Sequence, residues 1–250
     1  MGNSFVLRAH ERGYNKLLST GPSSPYVAGH PESTITRHSS FDFGPYQSGR
    51  RGFGRVRVFG DEVFRGVGCG YNIHPHHNFI ICAFVLEGQL TTINTLGNID
   101  QLGPGDYYAF SAGSGGKHCE LNLRSEDANI IYVWMLPDQL LLPPSYARGR
   151  FDAAHTPNRL VTLVGNADGA VHVSQDVNIS RLSADRGTTC TYRPSSSAHG
   201  VYAFVIDGYV SINDVALERR DSLGVWGGEV ITVSTDDTED AEVLFVETAP

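Results

Sequence analysis

The sequence predicts an all-β protein built as two tandem barrels, and three observations lead there. Short apolar segments of strand length and β-rich composition recur at residues 54–59, 80–86, 129–135 and 201–206. Turn signals separate such segments: Glu87-Gly88, Gly97-Asn98, Gly103-Pro104-Gly105 and Asp207-Gly208. No stretch sustains a 3.6-residue apolar period, so helices should be few and short. Many short strands at this spacing fit a sandwich or barrel.

The division into two comes from an internal echo. Residues 84–94, FVLEGQLTTIN, share their apolar-acid-Gly-apolar order with residues 204–213, FVIDGYVSIN. The Leu102-Gly-Pro-Gly-Asp106 turn is answered more weakly by Arg220-Asp-Ser-Leu-Gly224. The break is placed between Pro137 and Pro157, giving an N-terminal domain of residues 1–140 and a C-terminal domain of residues 141–250. Residues 20–40, rich in Ser, Gly, Pro and Thr, read as a surface excursion, and residues 235–240 as a solvated acidic turn.

Composition narrows the class. The 250 residues are 40% hydrophobic and 18% charged, enough apolar content for a real core. A net charge of −8 without clustered Lys and Arg argues against nucleic acid. No apolar run approaches the roughly 20 residues that cross a bilayer, and the N-terminus lacks an apolar secretory segment. Met-Gly-Asn-Ser opens the chain, but Val6 stands where myristoylation wants Ser or Thr. The four cysteines, Cys69, Cys82, Cys119 and Cys190, form no paired motif, so they are expected to be reduced in a cytoplasmic protein. A paired barrel can cover its own edges, which suits a monomer.

Two segments carry potential chemistry. His74-Pro75-His76 precedes a strand, and His118-Cys119-Glu120 follows the run Ala112-Gly-Ser-Gly-Gly116. Residues i and i+2 of a strand share a face. Each segment can therefore aim two donors at one point, whereas His77 and Cys119 have the opposite parity. Either segment alone would pass as a polar turn or a strand end. Together, His74, His76, His118 and Glu120 make a three-imidazole, one-carboxylate site for one divalent transition metal, with Fe(II), Ni, Cu, Mn, Co and Zn all compatible. Four protein ligands leave an octahedral ion open positions for water, O2 or substrate. Carried on from His74 and His76, the same parity sends Ile80, Cys82 and Phe84 to the pocket wall. Tyr107, Tyr108, Trp134 and Trp226 read as packing aromatics.

At these residues the sequence resembles a known family. Gly68 through His74-x-His76 to Gly88 is similar to the first cupin motif, and Gly115-x-x-His118-x-x-x-Asn122 to the second. More closely, residues 74–89 (HPHHNFIICAFVLEGQ), 102–122 (LGPGDYYAFSAGSGGKHCELN), 150–153 (RFDA) and 168–176 (DGAVHVSQD) resemble the bicupin family called pirins. Residues 40–43 and 52–58 resemble it as well. The resemblance implies two cupin barrels, with one metal, usually iron, on His74, His76, His118 and Glu120. It implies a C-terminal cupin that is degenerate and metal-free, where this chain offers only His172 and His199. It also implies a dioxygenase that opens the ring of a flavonol such as quercetin with O2, with Glu120 as candidate base. Where pirins carry an acid after HPH this chain has Ile80, and it has Ala83 and Phe84 in place of their Thr and Tyr. That departure suggests a second reading, another metal-dependent cupin enzyme acting on a natural-product intermediate. A third is a non-enzymatic, redox-sensing regulator.

Overall fold

The computed structural model describes residues 3–23, 25–227 and 230–250. In chain order the strands are β1 Asn3–Leu7, β2 Gly13–Leu18, β3 Val27–Ala28, β4 Thr34–Ser39, β5 Val56–Arg65 and β6 Cys69–His76. Next come β7 Ile80–Glu87, β8 Leu90–Asn94, β9 Ile99–Leu102, β10 Asp106–Ser111, β11 Gly116–Asn122, β12 Ala128–Met135 and β13 Ser145–Arg150. The C-terminal half adds β14 Leu160–Val164, β15 Val177–Ala184, β16 Thr189–Tyr192, β17 Gly200–Asp207 and β18 Val210–Ile212. It ends with β19 Val215–Leu217, β20 Ser222–Trp226, β21 Ile231–Thr235 and β22 Ala241–Thr248. The described helices are single 3-10 turns at Ala9–Glu11, Gly21–Ser23 and Ala153–His155, and none is long and apolar enough to cross a membrane.

Four antiparallel sheets form two barrels. The first pairs β13-β10-β7-β12-β5-β4-β2 with β3-β6-β11-β8-β9; the second pairs β1-β20-β17-β22-β15-β14 with β16-β21-β18-β19. The two larger sheets pack against each other. Ile80, Cys82, Phe84, Ile131 and Val133 from one side share a core with Ile179, Tyr202, Phe204, Leu244 and Val246 from the other. Their alternates turn inward, Ile81, Ala83 and Val85 into the first barrel and Ala203, Val205 and Phe245 into the second. Burial on both faces explains why β7 and β12 read as unbroken apolar runs, since an alternating strand would put polar groups into one core. The echo at Gly88 and Gly208 is structural too, with φ of 70° and 79° at equivalent turns.

Two expectations need correction. The barrels do not divide at residue 140, because each takes an edge strand from the other side of that point. β1 pairs with β20 of the second barrel, and β13 pairs with β10 of the first. In each case a free sheet edge gains a full ladder of hydrogen bonds. Residues 20–40 are not a surface excursion throughout. β4 lies inside the seven-stranded sheet between β5 and β2, and Ile35 is fully buried.

Candidate metal centre

β6 and β11 lie side by side in the smaller sheet of the first barrel, with His118 opposite His74 and Gly116 opposite His76. Alternation then turns His74, His76, His118 and Glu120 to the barrel interior. The donor nitrogens of His74, His76 and His118 all lie within 4.8 Å of one another. The Nε2 atoms of His74 and His118 are 3.1 Å apart. Two nitrogens at ~2.1 Å from one ion and at right angles would be about 3 Å apart.

The surroundings prepare these nitrogens for a cation. His74 Nδ1 lies 2.7 Å from the Asn72 carbonyl, which fixes the tautomer that leaves Nε2 as a lone pair. His76 Nε2 is buried without a hydrogen-bond partner. Burial, aided by neighbouring imidazoles, lowers both His76 and His118 to about 3, so they stay neutral and able to ligate. Three imidazole donors facing one another inside the barrel fit a metal better than they fit an apo core.

Glu120 stands at the edge of this group, Oε2 3.9 Å from His118 Nε2. Burial raises its proton affinity against the hydroxyl of Tyr108, which donates to Oε1. Tyr108 is thus an orienting group rather than packing alone, and its place two positions before Phe110 on an inward face could have signalled this.

The centre opens into a cavity of about 450 Å³ bordered by His74, Glu120, Arg37, Glu62, Tyr71 and Trp134, within the usual range for small-molecule sites. Arg37 Nε donates to Glu62 Oε1 at 2.6 Å, Tyr71 Oη donates to Glu62 Oε2 at 2.6 Å, and Arg37 Nη2 donates to Tyr71 at 2.8 Å. Burial raises Glu62 despite Arg37, with Glu120 adding to the rise. Phe43 covers the Arg37 guanidinium at 4.2 Å. Trp134 meets His76 edge-on with ring centroids 5.0 Å apart, so it is a wall of the site and not packing alone.

Sequence reasoning missed Tyr71, Arg37 and Glu62. A bulge sets Glu120 opposite Tyr71 while His118 faces His74. Tyr71 thereby shares the face of His74 at a three-residue spacing that regular alternation forbids. Arg37 and Glu62 arrive from β4 and β5, with no local signal. The expected wall of Ile80, Cys82 and Phe84 is overturned. All three lie in the core between the large sheets, and Ile80 touches a separate, smaller cavity. The chain changes sheets between His76 and Ile80, through Asn78 at φ 56°, so parity does not carry across. Burial pushes the Cys82 thiol far up, which makes it inert.

Comparison with known proteins places the fold and the family. A family profile described as Pirin matches residues 27–135, and one described as Quercetinase C-terminal cupin domain matches residues 163–248. A quercetin 2,3-dioxygenase of Escherichia coli (strain K12) is 31% identical over 206 residues, covering 82% of this chain and 87% of the relative. The chain belongs to the pirin family. A pirin-like protein of Caulobacter vibrioides is also 31% identical, over 82% of this chain and 88% of its own. Among solved structures, bacterial pirin YhhW from Escherichia coli in complex with nickel(II) superposes with a TM-score of 0.85 at 26% identity, covering 99% and 100% of the two chains. A quercetin 2,3-dioxygenase from Acinetobacter baumannii shares the fold, with a TM-score of 0.73 at 15% identity over 100% and 88%. The two-barrel pirin architecture is therefore shown for this chain, and His74, His76 and His118 could form its metal site.

Proposed function

We propose that this pirin is a metal-dependent dioxygenase that opens the ring of a flavonol-like substrate with O2. The observation that carries the reading is the convergence of three imidazoles, with Glu120 beside them, at the end of an aromatic-walled cavity. The Escherichia coli relative named quercetin 2,3-dioxygenase, 31% identical, supplies the substrate class.

His74, His76, His118 and Glu120 would hold the metal, with iron first among the candidates and nickel the ion seen in the YhhW structure. A bound divalent metal supplies Lewis acidity toward a substrate hydroxyl and redox chemistry toward O2. The chain's own residues do the rest. The Asn72 carbonyl keeps His74 in its ligating tautomer. Tyr108 holds the carboxylate of Glu120 in place, and burial makes that carboxylate a readier proton acceptor for the substrate hydroxyl. Trp134 and Phe43 line the cavity and give a planar ring aromatic walls to pack against. Ring opening releases carbon monoxide. The reading of a pocket remodelled for another substrate loses its motive, because none of Ile80, Ala83 and Phe84 borders this cavity.

The test is elemental analysis of the purified protein, then quercetin turnover with O2 uptake and carbon monoxide release followed together. Metal-replete protein that consumes no O2 and releases no carbon monoxide with quercetin overturns the proposal.

A further inference from the structure

A second polar cavity, of about 310 Å³, lies between the barrels against Arg12, His38, Asp61, Asn129, Arg219 and Arg220. Asp61 and Glu62 are neighbours on β5 and point to opposite faces, so this cavity is separated from the histidine centre by the sheet. Arg12 comes from the segment between β1 and β2, and Arg220 from the turn between β19 and β20, where it sits at φ 70°.

The buried charges here do not balance: two guanidiniums face the one buried carboxylate of Asp61. Arg12 Nη1 and Nη2 reach the same oxygen of Asp61 at 3.3 and 3.4 Å, long for hydrogen bonds. Arg220 Nη1 stands 3.6 Å from the other oxygen. That oxygen is already taken by Asn129 Nδ2 at 2.8 Å, and Arg220 Nη2 donates to Asn129 Oδ1 at 2.9 Å. Two guanidiniums, with side chains 3% and 10% exposed, thus share one carboxylate. Arg12 Nε and Arg220 Nη1 have no hydrogen-bond partner. At the rim, Arg65 and Arg219 are already paired with Asp127 and Asp207. Glu87 at the mouth is exposed to solvent. Burial, with Arg12 and Arg220 adding to it against Asp61, holds His38 below its ordinary value. A buried charge without a full partner is costly, and a mobile anion relieves that cost.

We infer that the junction cavity binds a small oxyanion, clasped between Arg12 of the N-terminal segment and Arg220 of the second barrel. The anion ties both barrels to Asn129 and β5. Asp61 competes with it for the same guanidiniums.

Calorimetric titration of the full chain at low salt tests this, with inorganic phosphate and succinate as probes in separate arms and chloride as control. Tighter binding of phosphate assigns a phosphoryl ligand, and tighter binding of succinate a carboxylate. The expected result is saturable binding that R220Q weakens by about tenfold or more. D61N, which keeps the shape but removes the competing charge, tightens binding by several fold. H74A/H118A should leave the affinity unchanged, since phosphate could otherwise sit at a metal on the histidines. Heats equal to chloride, affinity unmoved by both R220Q and D61N (an adventitious ion only), or loss of binding in H74A/H118A would each overturn the inference. R12Q repeats the test should R220Q fail to fold.

Discussion

The two barrels share a frame and differ in what fills it. Glu120 pairs across the sheet with Thr92, four residues beyond Gly88. In the second barrel, Ile212 lies four residues beyond Gly208 and pairs with Val233. Two positions earlier on β11 and β21 stand His118 and Ile231. Opposite these, β6 places His74 where β16 places Tyr192. Ile231, Val233 and Tyr192 belong to a closed apolar core, whereas Glu120 and His74 border a cavity. One frame thus encloses a candidate metal site beside a cavity in one copy and a packed core in the other. The difference lies in a few inward-facing side chains on two strands.

The largest expected effect comes from forcing the first barrel's chemistry on the second. V233E places a carboxylate at the position of Glu120 without Tyr108, a cavity or imidazoles to receive it. It should cost about 3–5 kcal/mol, the price of a buried unpaired charge, read as a shift in the denaturation midpoint. A loss under about 1 kcal/mol would show that the second barrel is more open than its core suggests.

Next is the reverse loss. H118A removes one of three converging imidazoles and should weaken metal binding by at least about 100-fold, measured by competition with a chelator. Unchanged affinity would remove His118 from the centre and with it the contrast between the barrels.

How much of this contrast is legible in the sequence depends on the range of each interaction. The strands β7, β12 and β17 show in composition, and the Gly88 and Gly208 turns show because their positive φ selects glycine. His74, His76, His118 and Glu120 show because alternation is local. Tyr71 is hidden by a bulge, and Arg37 and Glu62 by distance along the chain. Ile80, Cys82 and Phe84 were misplaced because parity was carried through a corner. The exchange of β1 and β13 has no local trace, since an edge strand is chosen by which edge lies open.

A paired substitution sharpens the claim of a common frame. A Cβ at Gly88 would sit 2.3 Å from the Asp127 carbonyl oxygen and 2.8 Å from Ala128 Cα. At Gly208 it would meet the Asp240 carbonyl oxygen and Ala241 Cα at the same two distances. G88A and G208A should therefore each cost about 2–3 kcal/mol, from strain and clash together. Costs that differ widely in urea unfolding would mean that the turns are alike in shape but not in constraint.

The smallest effect, with the sharpest sign, concerns histidine and pH. In the second barrel His199 Nδ1 lies 2.7 Å from Glu247 and Nε2 3.0 Å from Asp176. Burial alone would lower this imidazole, but the two carboxylates outweigh it and raise it above 6.5. Its contribution is therefore full below pH 6.5 and is lost as pH rises through the raised folded value. Hydrogen bonds from Ser195, His199 and Tyr192 hold Glu247 below 4.5 against burial, so its share is lost as pH falls through that lowered value. In the metal-free first barrel the sign reverses. His76 and His118, lowered to about 3, are neutral when folded, so protonation of the unfolded chain erodes stability from pH 6.5 down toward 3. H199Q should then cost about 1 kcal/mol at pH 5.5 and less at pH 9, whereas H118Q should gain on the wild type as pH falls. Denaturation of both variants across that range checks it. Parallel pH profiles would mean that the two barrels do not hold their histidines in opposite charge states.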